Sequence, residues 1–107
     1  MHANQATDNR HLLGYRVSIP ESIVYREFVA ETVVLNLTTG TYHGLNAVGG
    51  RMLEVLSKVP RVGDAAEQLA AEYDQPLEDI QRDVCDFCGD LAERGLINLE
   101  EAPASKV

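Results

Sequence analysis

The segment "ETVVLNLTTGTYHGLN", residues 31–46, limits the fold more than any other part of the chain. Val33, Leu35 and Leu37 alternate with Thr32, Val34 and Asn36, the period of two that marks a half-buried strand. Thr-Thr-Gly interrupts the alternation, and Gly40 is free to take the positive φ a tight turn needs. "TYHGL" then reads as the returning strand. Gly44 inside it marks a bulge or a close backbone approach. The edge of this second strand is either paired and solvated like any other, or open to an incoming extended peptide.

The rest of the chain builds around this hairpin. Ile23, Tyr25 and Phe28 suggest a first strand near 23–29, and Tyr15, Val17 and Ile19 suggest a shorter one before Pro20. Asn46 is a good helix N-cap. Val48, Met52, Val55 and Val59 follow at helical spacing until Pro60. "DAAE" has the pattern of a capping box, predicting a second helix from Asp64 with Ala65, Leu69 and Tyr73 inward. After Pro76, Leu77, Ile80, Val84, Phe87, Cys88 and Leu91 fall in one apolar arc, predicting a third helix over 77–94 that Gly95 ends. "LINL" reads as a short terminal strand. Residues 1–14 and 101–107 read as flexible tails around a single domain over 15–100. Strands segregated from helices indicate an α+β fold. Three helices beside a small sheet also describe a winged helix-turn-helix.

That architecture raises DNA binding, and charge bears on it. The net charge is −8. Residues 61–107 hold twelve acidic and four basic side chains, whereas residues 1–60 hold five of each. Asp79, Asp83, Asp86, Asp90 and Glu93 form an acidic stripe beside the apolar arc of the third helix. They are either a solvated face or a negative rim for basic residues of a partner. Residues 77–94 carry six acidic and two basic side chains, which opposes placing this helix against phosphates.

No stretch reads as a secretory signal, and no apolar run approaches the roughly 20 residues of a membrane span. The chain is read as cytoplasmic and free of the membrane. Cys85 and Cys88 form a C-x-x-C, but mid-helix rather than at a helix N-terminus, and without a matching histidine pair. Cys88 is expected to fill core space and Cys85 to border it. His43 has no nucleophile or carboxylate at a telling spacing. The glycines of "VGG", 48–50, lack a following lysine and read as close helix packing. No enzyme, metal site or cofactor is expected.

"ESIVYREFVAETVVLNLTTGTYHGLNAVGGRMLEVL", with "LAAEYD" and "RDVCDFCGDLAERGLI" further on, resembles the PqqD-like family. The likeness spans residues 16–99. Its most specific pieces are "LNLTTGTYHGLN" running into a helix and the closing "DV…F…L…RGLI". The family comprises recognition elements of pathways that make ribosomal, post-translationally modified peptides, with free-standing members in pyrroloquinoline quinone and lasso-peptide systems. The resemblance implies a winged helix-turn-helix-like α+β domain, with an N-terminal three-stranded antiparallel sheet followed by three helices, that serves as a non-catalytic adaptor. It binds the leader segment of a precursor peptide by strand addition and presents it to a modifying enzyme or leader peptidase.

Carried onto this sequence, the pairing strand is Thr41, Tyr42, His43 and Gly44, closing at Leu45. The helix wall is Asp83, Val84, Phe87, Cys88 and Leu91, and Asp86 and Asp90 offer an electrostatic rim. Cys88 stands where many members have an aliphatic residue, and Pro76 lies one position earlier than in many. An open edge strand leaves a monomer or a weak homodimer as the expected state. A DNA-binding winged helix-turn-helix regulator or a protein-interaction module is the alternative.

Overall fold

The computed structural model describes residues 9–101. A three-stranded antiparallel sheet is formed by β2 (Ile23–Glu27), β3 (Thr32–Asn36) and β4 (Tyr42–Leu45), in the order β2-β3-β4. Three helices follow: α1 (Ala47–Lys58), α2 (Val62–Tyr73) and α3 (Leu77–Glu93). The short strands β1 (Tyr15–Ser18) and β5 (Asn98–Glu101) pair with each other in a separate two-stranded sheet. The α+β, winged helix-turn-helix-like architecture is therefore present, with its first and last strands joined.

The expected tail over residues 1–14 is shorter than the sequence suggests. Arg10–Gly14 forms a 3-10 helix whose Leu12 is buried. Two adjacent leucines, Leu12 and Leu13, in a polar run carry no periodicity, so pattern reading misses them. Glu101 closes β5, so the strand runs one residue past the expected domain boundary. Residues 1–8 and 102–107 of the expected tails lie outside the described residues.

The β3–β4 hairpin turns at Gly40, which has φ of 78°. Asn36 braces the turn by accepting from the Thr38 and Thr39 amides through Oδ1. Asn46 caps α1 as its side chain type predicts, accepting from the Gly49 amide at 2.8 Å. Such a cap contributes about 1 kcal/mol. The end of α3 is set by Gly95, whose φ of 77° allows Gly95 N–H to reach the Ala92 carbonyl and Leu96 N–H the Leu91 carbonyl. This closing motif satisfies carbonyls that the helix end would otherwise leave open.

The start of α2 differs from the capping-box reading. The helix begins at Val62 with Arg61 at the N-cap, so Asp64 lies inside the first turn rather than before it. Val62 is fully buried, and Val17 N–H bonds the Pro60 carbonyl at 2.8 Å. Burying Val62 and tying Pro60 to β1 start the helix two residues early. Asp64 still favours the helix through the dipole.

Leu53, Leu56, Val62, Leu69, Val84, Cys85, Cys88, Leu91 and Leu96 are core residues, packed between the helices and the helix-facing side of the sheet. Val34 and Ile23 complete the core from the sheet. Val48, Tyr73 and Leu77 are 48, 37 and 40% exposed, although each belongs to an expected inward stripe. All three lie at helix ends, where a stripe outruns the surface it can cover.

Candidate functional site

The geometry of β4 follows from its register. Asn36 N–H donates to the Thr41 carbonyl at 2.8 Å, and Val34–His43 and Thr32–Leu45 are the paired positions that follow. In an antiparallel ladder, hydrogen-bonded pairs recur every second residue. His43 and Leu45 therefore spend their backbone groups on β3. Tyr42 and Gly44 turn their N–H and C=O groups toward the side of β4 on which the sheet has no further strand among the described residues. Thr41 lies just before the strand, where it closes the turn, rather than within it.

The same register sorts the side chains. His43 and Leu45 share the helix-facing side with the buried Val34 and Thr32. Tyr42 lies on the opposite face in the row Val24–Leu35–Tyr42. This outer face has no helix over it among the described residues. Tyr42 is 73% exposed, and Val24 and Leu37 are 44 and 58% exposed.

The space between the end of β4 and the middle of α3 is the candidate cleft. A β-carbon added at Gly49 would stand 3.4 Å from Phe87 Cε1 and 3.5 Å from Leu45 Cβ, so the end of β4, the first turn of α1 and the middle of α3 converge there. Phe87 and Leu45 are half-buried. One turn earlier on α3, Asp83 is exposed at a pocket of about 200 Å³ that Val48, Met52, Leu69, Tyr73, Gln75 and Ile80 also line. The walls of this pocket are held together by Arg51 of α1, whose guanidinium grips Glu72 of α2 through two bonds of 2.7 and 2.8 Å. Arg51 holds the Glu72 carboxyl below the usual carboxylate range.

Five of the expected helix residues are not at this cleft. Val84, Cys88 and Leu91 are 0, 0 and 2% exposed and serve the core. An apolar arc shows which residues avoid water, but not whether they meet the core or a groove. Asp86 and Asp90 line a different depression, with Asn9, Leu12 and Leu99. Asn9 Nδ2 donates to Asp86, and Arg94 pairs with Asp90 at 3.2 Å. The acidic stripe thus divides: Asp83 borders the pocket among the three helices, and Asp86 and Asp90 face β5 and the 3-10 helix. Val48 and Tyr73 are pocket residues that sequence reasoning assigned to the core; their positions at the ends of helical stripes were the available signal.

Cys85 joins Cys88 in the core instead of bordering it. Burial, with Cys85 alongside, pushes the Cys88 thiol up to about 12. The thiolate is the reactive form, so the native protein at pH 8 is expected to react far more slowly with a disulfide reagent than the unfolded chain does. Stopped-flow thiol titration with and without denaturant measures this. Equal rates would contradict the burial.

No curated protein matches the sequence at a significant level. Among solved structures, the chain is similar to TbiB1 in complex with the TbiA(beta) leader peptide. Identity is 34%, the match covers 76% of this chain and 94% of that one, and the TM-score is 0.70. It shares its fold with lasso peptide synthetase B1 complexed with the leader peptide, at 23% identity, 78 and 98% coverage and a TM-score of 0.70. The sequence model of coenzyme PQQ synthesis protein D (PqqD) matches residues 31–97, and the chain belongs to the PqqD family.

Proposed function

We propose that the protein is a non-catalytic adaptor that binds the leader segment of a ribosomal precursor peptide. The leader lies antiparallel or parallel to β4 and bonds to the outward N–H and C=O groups of Tyr42 and Gly44. Alternate leader side chains enter the cleft beside Leu45, Gly49 and Phe87. The observation that carries this reading is the unpaired edge of β4 beside a partly apolar cleft, in a chain similar to a leader-bound protein. Backbone bonds supply affinity in such strand addition, and pockets for alternate side chains supply selectivity.

A modifying enzyme or leader peptidase is the second partner. The outer sheet face supports this, because the row Val24–Leu35–Tyr42 exposes apolar surface away from the leader cleft. The adaptor works in the cytoplasm and as a monomer, with a weak homodimer as the competing use of the open edge. DNA is disfavoured because the acidic side chains of α3 are exposed.

The test is calorimetric titration of the intact chain with synthetic leaders from short reading frames beside its own gene. Saturable one-to-one binding is expected. Phe87→Ala is expected to weaken it by about 1–3 kcal/mol, as loss of a central aromatic contact does. Thermal unfolding of the variant separates lost contact from lost fold. No binding to any of these leaders would sink the reading.

A further inference from the structure

The pocket next to Asp83 has a chemistry of its own. Its walls come from all three helices, and Val48, Met52, Leu69 and Ile80 make them largely apolar. Its rim carries the Asp83 carboxylate and the Gln75 side chain, and neither lysine nor arginine lines it. Of the other carboxylates on α3, Asp79 meets Arg82 at 3.1 Å and Asp90 meets Arg94 at 3.2 Å, while Asp86 accepts from the Asn9 amide and lines the depression beside β5 instead of this pocket. Arg51 is committed to Glu72 and Glu54. Asp83 enters no ion pair among the described residues and stands one helical turn from Phe87, and Val48 of the pocket is the neighbour of Gly49, against which Phe87 and Leu45 lie.

We infer that this pocket is a specificity subsite for one lysine or arginine of the bound peptide. The aliphatic stem lies along Val48, Met52 and Ile80, and the cationic head reaches Asp83 at the rim. Long basic side chains divide their surface in this way, with the stem against apolar groups and the charge near water. A wholly apolar occupant would cover the carboxylate without compensating it, which costs free energy. The inference rests on the leader-binding reading above and adds to it a residue class at one position.

The test is selection of a displayed library of randomised 20-residue peptides on the intact wild-type chain, on Asp83→Asn and on Asp83→Lys. Asp83 is exposed, so both variants keep the core. The wild type is expected to enrich lysine or arginine at one fixed position. Asp83→Asn is expected to lose that enrichment, and Asp83→Lys to replace it with aspartate or glutamate. A selected peptide, synthesised and titrated, is expected to bind Asp83→Asn about two- to fivefold more weakly, the range for an exposed ion pair. The difference should vanish near 1 M salt, where screening acts over about 3 Å. Enrichment of tyrosine or of apolar residues at that position, unchanged in Asp83→Asn, overturns the inference and leaves leader binding standing. Retention of no peptide family by the wild type overturns both.

Discussion

Gly50→Ala is expected to lower the unfolding free energy by about 1–2 kcal/mol. A β-carbon at Gly50 would collide with Thr32 Oγ1 and lie 3.0 Å from Thr32 Cβ. Thr32 is buried and β-branched, so it has no flexible end to move aside. Overpacking of this kind costs about 1–3 kcal/mol, and the better helix propensity of alanine returns at most about 1. Thermal or urea unfolding measures the difference, and for a domain of this size each kcal/mol moves the midpoint by about 4–8 °C. Gly49→Ala is the control. Its β-carbon meets neighbours at 3.4–3.5 Å, ordinary contact, so stability should hold or rise. Thr32→Ala should recover part of the Gly50→Ala loss in a double-mutant cycle. A Gly50→Ala protein as stable as wild type would mean that α1 does not pack this closely on β3.

Gly44→Pro is expected to reduce leader affinity at least about tenfold while leaving the fold intact, once the Glu31 carboxylate, which would lie 2.8 Å from an added β-carbon, swings aside on its flexible side chain. The Gly44 N–H points to the free edge of β4, so its loss takes nothing from the ladder with β3, which runs through Thr41, His43 and Leu45. Proline removes that donor, worth about 0.5–1.5 kcal/mol. Its ring also obstructs an approaching strand, which is how natural edge strands resist pairing. The preceding His43 is already extended, the conformation that proline prefers in its neighbour. Calorimetry against a leader that binds the wild type gives the affinity, and thermal unfolding checks the fold. Undiminished affinity would show that the leader does not pair along this edge. Phe87→Ala tests the cleft wall and Gly44→Pro the strand, so the two variants probe separate halves of one binding mode.

Much of the architecture was legible in particular residues. The strand period of Thr32–Asn36, the glycine at 40 and the cap at Asn46 each act within a few residues and hold in the fold. The buried face, however, is that of Thr32 and Val34, where the helices cover the sheet, and not that of Val33, Leu35 and Leu37. Gly95 ended α3 where its sequence position suggested, because a positive φ is a local property. The start of α2 was not legible, since Val62 is drawn into the helix by burial and Pro60 is tied to β1, contacts made across some 45 residues of chain. Likewise nothing local indicates that β1 leaves the main sheet to pair with β5.

The candidate site divides along the same line. The sequence by itself determined the hairpin, the helix that follows it and the acidic, amphipathic character of α3. Those follow from periods of two and 3.6 and from side chains acting on their own backbone. Only the tertiary structure decided which part of each face is used. It sent Val84, Cys88 and Leu91 into the core and left Phe87 at the cleft. It also separated Asp83 from Asp86 and Asp90, although all three belong to one stripe. A helical wheel records angle around one axis. The role of a side chain at that angle depends on which neighbouring element covers it, and that is set by packing between segments distant in sequence.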